Sequence, residues 1–131
     1  MAEFSDHFED AIIDLMRAVA FTEVAVYVAL FTDSASGAEL EAGTLTNEVS
    51  GGSYARELAG LTAASGGLSS NASDIIFTTA TANWGTVAFV ALMDAITVGN
   101  VLMYSALDVN KIVNDGDTFK INAGDLDVEV T

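Results

Sequence analysis

His7 is the only histidine of the chain and stands beside Asp6, Glu9 and Asp10, where an imidazole could serve as a general base or as a member of a Ser–His–Asp triad. A triad serine of the hydrolase type sits on a sharp strand-to-helix elbow, G-x-S-x-G, and the sequence contains none. Nineteen Asp and Glu residues would furnish a paired-carboxylate mechanism, but no spacing selects two of them. The chain is therefore expected to be non-enzymatic, with no catalytic residue.

Asn114-Asp115-Gly116-Asp117 is rich in oxygen ligands around a turn-forming glycine, which is what a calcium loop requires. The alternating ligands and terminal glutamate of an EF-hand are missing, because Asp108-Val109-Asn110-Lys111 runs into Ile112 and Val113. A hairpin turn is the better reading, and no metal or cofactor is expected. Zero cysteines remove disulfides, thiol catalysis and Cys-ligated metal sites. The sequon Asn71-Ala72-Ser73 would matter only in a eukaryotic secretory pathway.

Tyr27, Tyr54, Trp84 and Tyr104 could supply rings on which a sugar stacks, with Trp84, beside Gly85 at the start of a strand, the first to test. Their competing role is core packing. The stretch Glu48-Val-Ser-Gly-Gly-Ser-Tyr-Ala-Arg-Glu-Leu58 places one of only four basic residues, Arg56, after a glycine pair. Gly51 and Gly52 read as a turn feeding a strand on which Tyr54 and Arg56 share one face. Arg56 could pair bidentately with a carboxylate of its own domain or with an acidic neighbour in an assembly.

These residues must be positioned by two kinds of element. Phe4, Phe8, Ile12, Leu15 and Val19 recur at spacings of four, four, three and four, the stripe of an amphipathic helix over residues 1–20, with Asp6 and Glu9 as its capping box. That stripe packs either on its own domain or on a neighbouring subunit. From Val24 the period changes to two. Val24–Phe31 is apolar on both faces and reads as a central strand, and Asp33–Asn47 as a long loop. Further strands are expected at Ser53–Leu61, Asp74–Thr78, Thr86–Asp94, Asn100–Leu107, Thr118–Asn122 and Leu126–Val130, separated by Gly, Asn and Asp turns. The result is one mainly β domain over 1–131: a helix, then over 21–131 a β-sandwich or barrel of about seven short antiparallel strands.

A formal charge of −15 excludes the clustered cations that a nucleic-acid backbone or an anionic membrane surface requires. Trp84–Leu107 is long enough to span a bilayer, but Asp94 would sit near its middle, and two buried strands joined by Thr97-Val98-Gly99-Asn100 explain it better. The start, MAEFSDHFED, lacks the basic region of a secretory signal.

An ordered series of short motifs points to a family: Tyr27-Val-Ala-Leu-Phe-Thr32, EVSGGSYAR at 48–56, SGG at 65–67, Ile76-Phe77 before TATANWG at 79–85, Asn100-Val-Leu with Ser105-Ala-Leu107, Val113-Asn-Asp-Gly-Asp-Thr-Phe119 and Ala123-Gly-Asp-Leu-Asp-Val128. Together they resemble a family of small tailed-bacteriophage proteins labelled tail-fibre or minor structural proteins, over nearly the whole chain. Asp94–Asn100 departs from it, where a more glycine-rich turn would be expected. The resemblance implies a virion structural protein, assembled in the bacterial host cytoplasm, whose partners are the major capsid protein or tail components. It also implies a homo-oligomer, a trimer or another cyclic assembly. The short chain without a repetitive shaft favours a capsid cement or decoration subunit, the alternative being a tail-fibre or baseplate subunit that binds a receptor or carbohydrate. Phe4, Phe8, Ile12, Leu15, Tyr54, Arg56 and Trp84 are the candidate interface residues.

Overall fold

Val28, Ala29, Leu30 and Phe31 are fully buried in a computed structural model of the chain, which describes residues 2–22 and 24–130. Four consecutive buried residues in a strand require cover on both sheet faces, since successive side chains point opposite ways. Val28 and Leu30 join one apolar cluster with Val49, Ile75, Phe77, Trp84 and Val87, whereas Ala29 and Phe31 join a second with Leu40, Ala91, Met93 and Val101.

In chain order the elements are β1 (Glu3–Phe4), α1 (Asp6–Met16), β2 (Tyr27–Thr32), α2 (Gly37–Glu41), β3 (Glu57–Leu58), β4 (Leu68–Ser70), β5 (Ile75–Ile76), β6 (Gly85–Met93), β7 (Val101–Val113), β8 (Lys120–Ile121) and β9 (Asp127–Glu129). Five strands form an antiparallel sheet in the order β1-β7-β6-β2-β3, and two ribbons, β4-β9 and β5-β8, stand apart from it. The ribbons and their connections cover the first face through Ile75, Phe77 and Phe119, and α2 covers the second through Leu40. The sheet does not close into a barrel, because β1 and β3 remain its edges.

The mainly β class and the leading helix agree with the sequence, while several boundaries move. The helix starts one residue after Ser5, which is its N-cap in place of Asp6, and Phe4 lies in β1 opposite Met103 instead of on the helical stripe. Ser5 is fully buried, its hydroxyl donating to the Val101 carbonyl and its N–H to the Leu102 carbonyl. The helix ends at Met16, so Val19 falls beyond it. The expected loop at 33–47 holds α2, capped by a reciprocal Ser36–Glu39 box. The strand expected over 53–61 shrinks to β3 with an isolated bridge from Leu61 to Asn71, and β7 continues to Val113 in place of Leu107. Nine strands result among the described residues, the extra ones being the two- and three-residue β1 and β4.

Trp84–Leu107 forms most of the β6–β7 hairpin, and among the described residues no helix is long and apolar enough to cross a membrane. Its tip closes without the extra glycines that the family resemblance leads one to expect. Asp94 accepts from the Asn100 N–H at 2.6 Å and from its side-chain amide at 2.9 Å, and Val98 (φ 54°) and Gly99 (φ 69°) both turn left-handed. A Cβ on Gly99 would stand 2.5 Å from the Asp94 Oδ1, which fixes glycine there.

Candidate functional site

Arg56 is 5% exposed, and each of its three guanidinium nitrogens donates to a group inside the chain. Its Nε and Nη2 each donate to the Glu48 carboxylate at 2.7 Å, and its Nη1 donates to the carbonyls of Ala95 at 2.8 Å and Val98 at 2.7 Å. Tyr54, on the same face, donates to Glu48 at 3.0 Å and accepts from the Leu30 N–H at 3.0 Å. Burial opposes the charge on Arg56, but the hydrogen bonds with Glu48 and the negative charge of that carboxylate together outweigh it and hold the guanidinium above its ordinary pKa. Burial, with the Glu48 charge behind it, drives the Tyr54 hydroxyl far above the ordinary phenol range. A permanent cation here ties the 48–56 turn to the tip of the β6–β7 hairpin.

The turn itself rests on Trp84. Its indole N–H donates to the Gly52 carbonyl at 2.9 Å, and its ring meets Tyr54 edge-on at 5.4 Å. Tyr54 in turn lies parallel to Phe77 at 6.2 Å. Trp84 is 5% exposed and Tyr104 equally buried, the latter donating to Glu3 at 2.7 Å. These rings are therefore spent on packing. Asn71 of the sequon is also buried, its amide donating to the carbonyls of Ser73 and Asn122 and accepting from the N–H groups of Gly124 and Leu126. The Asn114–Asp117 stretch closes as a turn in which Asp117 accepts from the Asn114 N–H at 2.9 Å, and among the described residues no cluster of three or more His, Asp or Glu is placed to hold a metal ion.

The tip held by Arg56 belongs to an apolar end of the molecule. Ile96 is 56% and Val98 74% exposed. Beside the tip, a cleft of about 270 Å³ is shared by His7 and Ala11 of α1, by Phe21 and Val24 and by Asp94 and Asn100. Phe8 meets Phe4 edge-on at 5.4 Å and Phe21 at 5.7 Å, so this side of the helix stripe packs on its own domain. Ile12 is half-buried and Leu15 is 52% exposed.

The opposite side of α1 is where sequence reasoning missed the exposed surface. Helical spacing places Asp6, Glu9, Asp10, Ile13 and Met16 on one face, away from Phe8, Ile12 and Leu15. Ile13 is 58% and Met16 86% exposed. The signal was present in the doublets Ile12-Ile13 and Leu15-Met16, since adjacent apolar residues on a helix face different sides. The structure thus brings Arg56 and Tyr54 into one network with Trp84 behind it, and leaves Phe4, Phe8, Ile12 and Leu15 on the N-terminal arm at β7. An end with this much uncovered apolar surface can engage another macromolecule. A family model described as Podophage GP4 fiber I protein gp80 matches residues 3–129. No curated protein matches the chain.

Proposed function

The chain belongs to this podophage fibre-protein family, and from that premise we propose that it is a fibre-type subunit, joined to its virion neighbours through the end formed by α1 and the β6–β7 tip. Membership makes it a virion structural protein associated with other virion components, and a fibre family favours the fibre reading over the capsid cement or decoration reading that the short chain first favours. Assembly takes place in the bacterial host cytoplasm as a homo-oligomer, a trimer or other cyclic form. The subunit acts by being held in place, without catalysis.

The observation that carries the choice of surface is the exposure of Ile13 and Met16 on α1 and of Ile96 and Val98 at the tip, while the candidate rings Tyr54 and Trp84 are occupied inside the fold. Burying such side chains against a neighbour contributes about 1.5–3 kcal/mol each when complete. The buried rings give a receptor-binding or sugar-stacking role no platform at Trp84. Virions carrying the Ile13→Asp/Met16→Asp pair provide the test, by mass spectrometry of purified particles and reconstruction of their density. Wild-type protein is expected in a fibre, and the variant, folded when purified, is expected to be missing from particles. Density in the head lattice, or full incorporation of the variant, defeats the proposal.

A further inference from the structure

The N-terminal arm is lightly held for a segment that completes the sheet. β1 adds two residues to the edge at β7, Glu3 opposite Tyr104 and Phe4 opposite Met103. Ser5 follows, fully buried, with its hydroxyl donating to the Val101 carbonyl and its N–H to the Leu102 carbonyl at 2.9 Å. Ala2, Phe4 and Phe8 are only partly buried against the larger apolar cluster, and α1 has no buried residue. The receptor for the arm is therefore specific, a strand edge with a socket for one serine, while the helix beyond it is fastened chiefly through Phe8.

The connection that returns the chain to β2 is folded back under strain. α1 ends in a Schellman turn, in which the Ala18 N–H donates to the Leu15 carbonyl at 3.1 Å and the Val19 N–H to the Asp14 carbonyl at 3.0 Å. This turn needs a left-handed residue after the cap. The chain supplies alanine there, at φ 62°, where glycine is the unstrained choice. Residues 18–22, 24 and 25 are exposed, with Val19 at 47% and Phe21 and Val24 each at 37%. Val19, Phe21, Thr22, Val24 and Val26 are also of the types that favour extended backbone. The sequence pattern carries a strand back to Val24, yet β2 begins only at Tyr27. Extended, the connection over 17–26 reaches about 33 Å.

We propose that this chain assembles by passing its arm, β1 and α1, to the β7 edge of a second copy, with residues 17–26 opening into an extended link. The inference rests on reading the α1 end as an assembly surface and names the neighbour it meets. Complementarity already present selects a second copy. The Phe4–Met103 register and the Ser5 socket are the same whether the arm comes from its own chain or from another. What the exchange gives up is confined to the connection: the two Schellman bonds and the edge-on contact of Phe21 with Phe8. In return Ala18 leaves the left-handed region, and the residues from Val24 are released to extend β2. Four basic residues against nineteen acidic ones supply little to attract another outer surface, whereas the arm meets a surface already fitted to it. An arm passed to the next copy closes reciprocally in a dimer or around a ring, as the direction of the link dictates.

Sedimentation velocity on the purified full-length protein, refolded from urea at high concentration, tests this. Wild type is expected to form a dimer or ring that strengthens with salt, because screening weakens the repulsion between acidic copies. The chain has no cysteine, so Phe4→Cys/Met103→Cys, at two facing positions of the β1–β7 register, reports where the arm sits. After oxidation, exchanged arms give covalent dimers or rings on a non-reducing denaturing gel, whereas arms kept in their own chain give only monomer. Two variants at exposed Ala18 follow the connection without touching the core. Ala18→Gly, which removes the strain of folding back, should weaken association at least about fivefold, and Ala18→Val, which a left-handed turn tolerates less, should strengthen it. These two decide the question if the cysteine pair lacks the wild-type circular dichroism spectrum. A monomeric wild type, an oligomer whose cysteines link only within chains, or Ala18 variants that associate as wild type does each overturns the proposal. Fibre incorporation together with links only within chains leaves the virion role standing and removes the exchange. Links between chains in a protein absent from virions support the exchange and remove the role.

Discussion

Arg56 and Glu48 meet side by side, Nε to Oε1 and Nη2 to Oε2 both at 2.7 Å, with side chains only 3% and 16% exposed. The same guanidinium holds two carbonyls of the hairpin tip thirty-nine and forty-two residues away. One side chain therefore couples the glycine turn, the tip and, through Tyr54, the central strand β2. The cation in this acidic chain has its partner within the subunit, and it acts on the assembly surface indirectly, by fixing the tip that carries Ile96 and Val98.

Arg56→Met is expected to lower stability by about 3–5 kcal/mol, since it strands a mostly buried carboxylate and frees two carbonyls. Arg56→Lys should recover only part of this, because one ammonium cannot serve both carboxylate oxygens and the tip. Urea unfolding measures both, and a loss below about 1 kcal/mol for the methionine variant would contradict the structural role.

How far the sequence revealed this arrangement depended on the range of the interaction. The β2 strand, the β6–β7 hairpin and the helix announce themselves by local period. So did the shared face of Tyr54 and Arg56, which follows from strand alternation. The identity of Glu48 as partner, and of Ala95 and Val98, depends on how a turn and a distant hairpin are packed, which no local pattern encodes. β1 and β4 are too short to show a period, and α2 was hidden because five residues with one buried leucine resemble a loop. The outward Ile13 and Met16 were legible as doublets.

Gly52 and Gly51 should respond differently to alanine. Both have positive φ, 55° and 73°, but a Cβ on Gly52 would lie 2.9 Å from the Trp84 Nε1 and 3.1 Å from the Ala82 carbonyl oxygen, whereas one on Gly51 meets nothing within 4 Å. Gly51→Ala then carries only the conformational term of about 1 kcal/mol. Gly52→Ala adds displacement of the indole and is expected to cost about 2–4 kcal/mol. Thermal unfolding, together with tryptophan fluorescence at this single-Trp position, distinguishes them, and equal losses would show that the close approach does not matter.

Asn71→Ala removes four part-buried hydrogen bonds, three of which join the β4–β5 connection to the β8–β9 connection, and a loss of about 2–4 kcal/mol is expected. Asn71→Asp keeps the acceptor for the Gly124 and Leu126 N–H groups but faces the Ser73 and Asn122 carbonyls with an oxygen. It should be less destabilising in acid, where the protonated carboxyl can donate, than at neutral pH. Denaturant midpoints at two pH values measure this, and a midpoint for the Asp variant that does not fall relative to wild type as pH rises would refute it.

Tyr54 is expected to contribute to the loss of stability at alkaline pH. Its hydroxyl is buried against Glu48, so its folded pKa lies well above the unfolded value near 10. Tyr104 is shifted the same way, by burial and then by its hydrogen bond to Glu3. A raised folded pKa means that the unfolded chain releases its proton first. The contribution of each tyrosine is thus complete below about pH 10 and declines as pH rises beyond it. Tyr54→Phe removes one such group together with its bonds to Glu48 and Leu30. At neutral pH the variant should be about 1–2 kcal/mol less stable than wild type. Between pH 10 and 12 its stability should fall less steeply, so that the two curves converge. Urea titrations followed by circular dichroism across that range measure both slopes, and parallel curves would place the alkaline transition elsewhere.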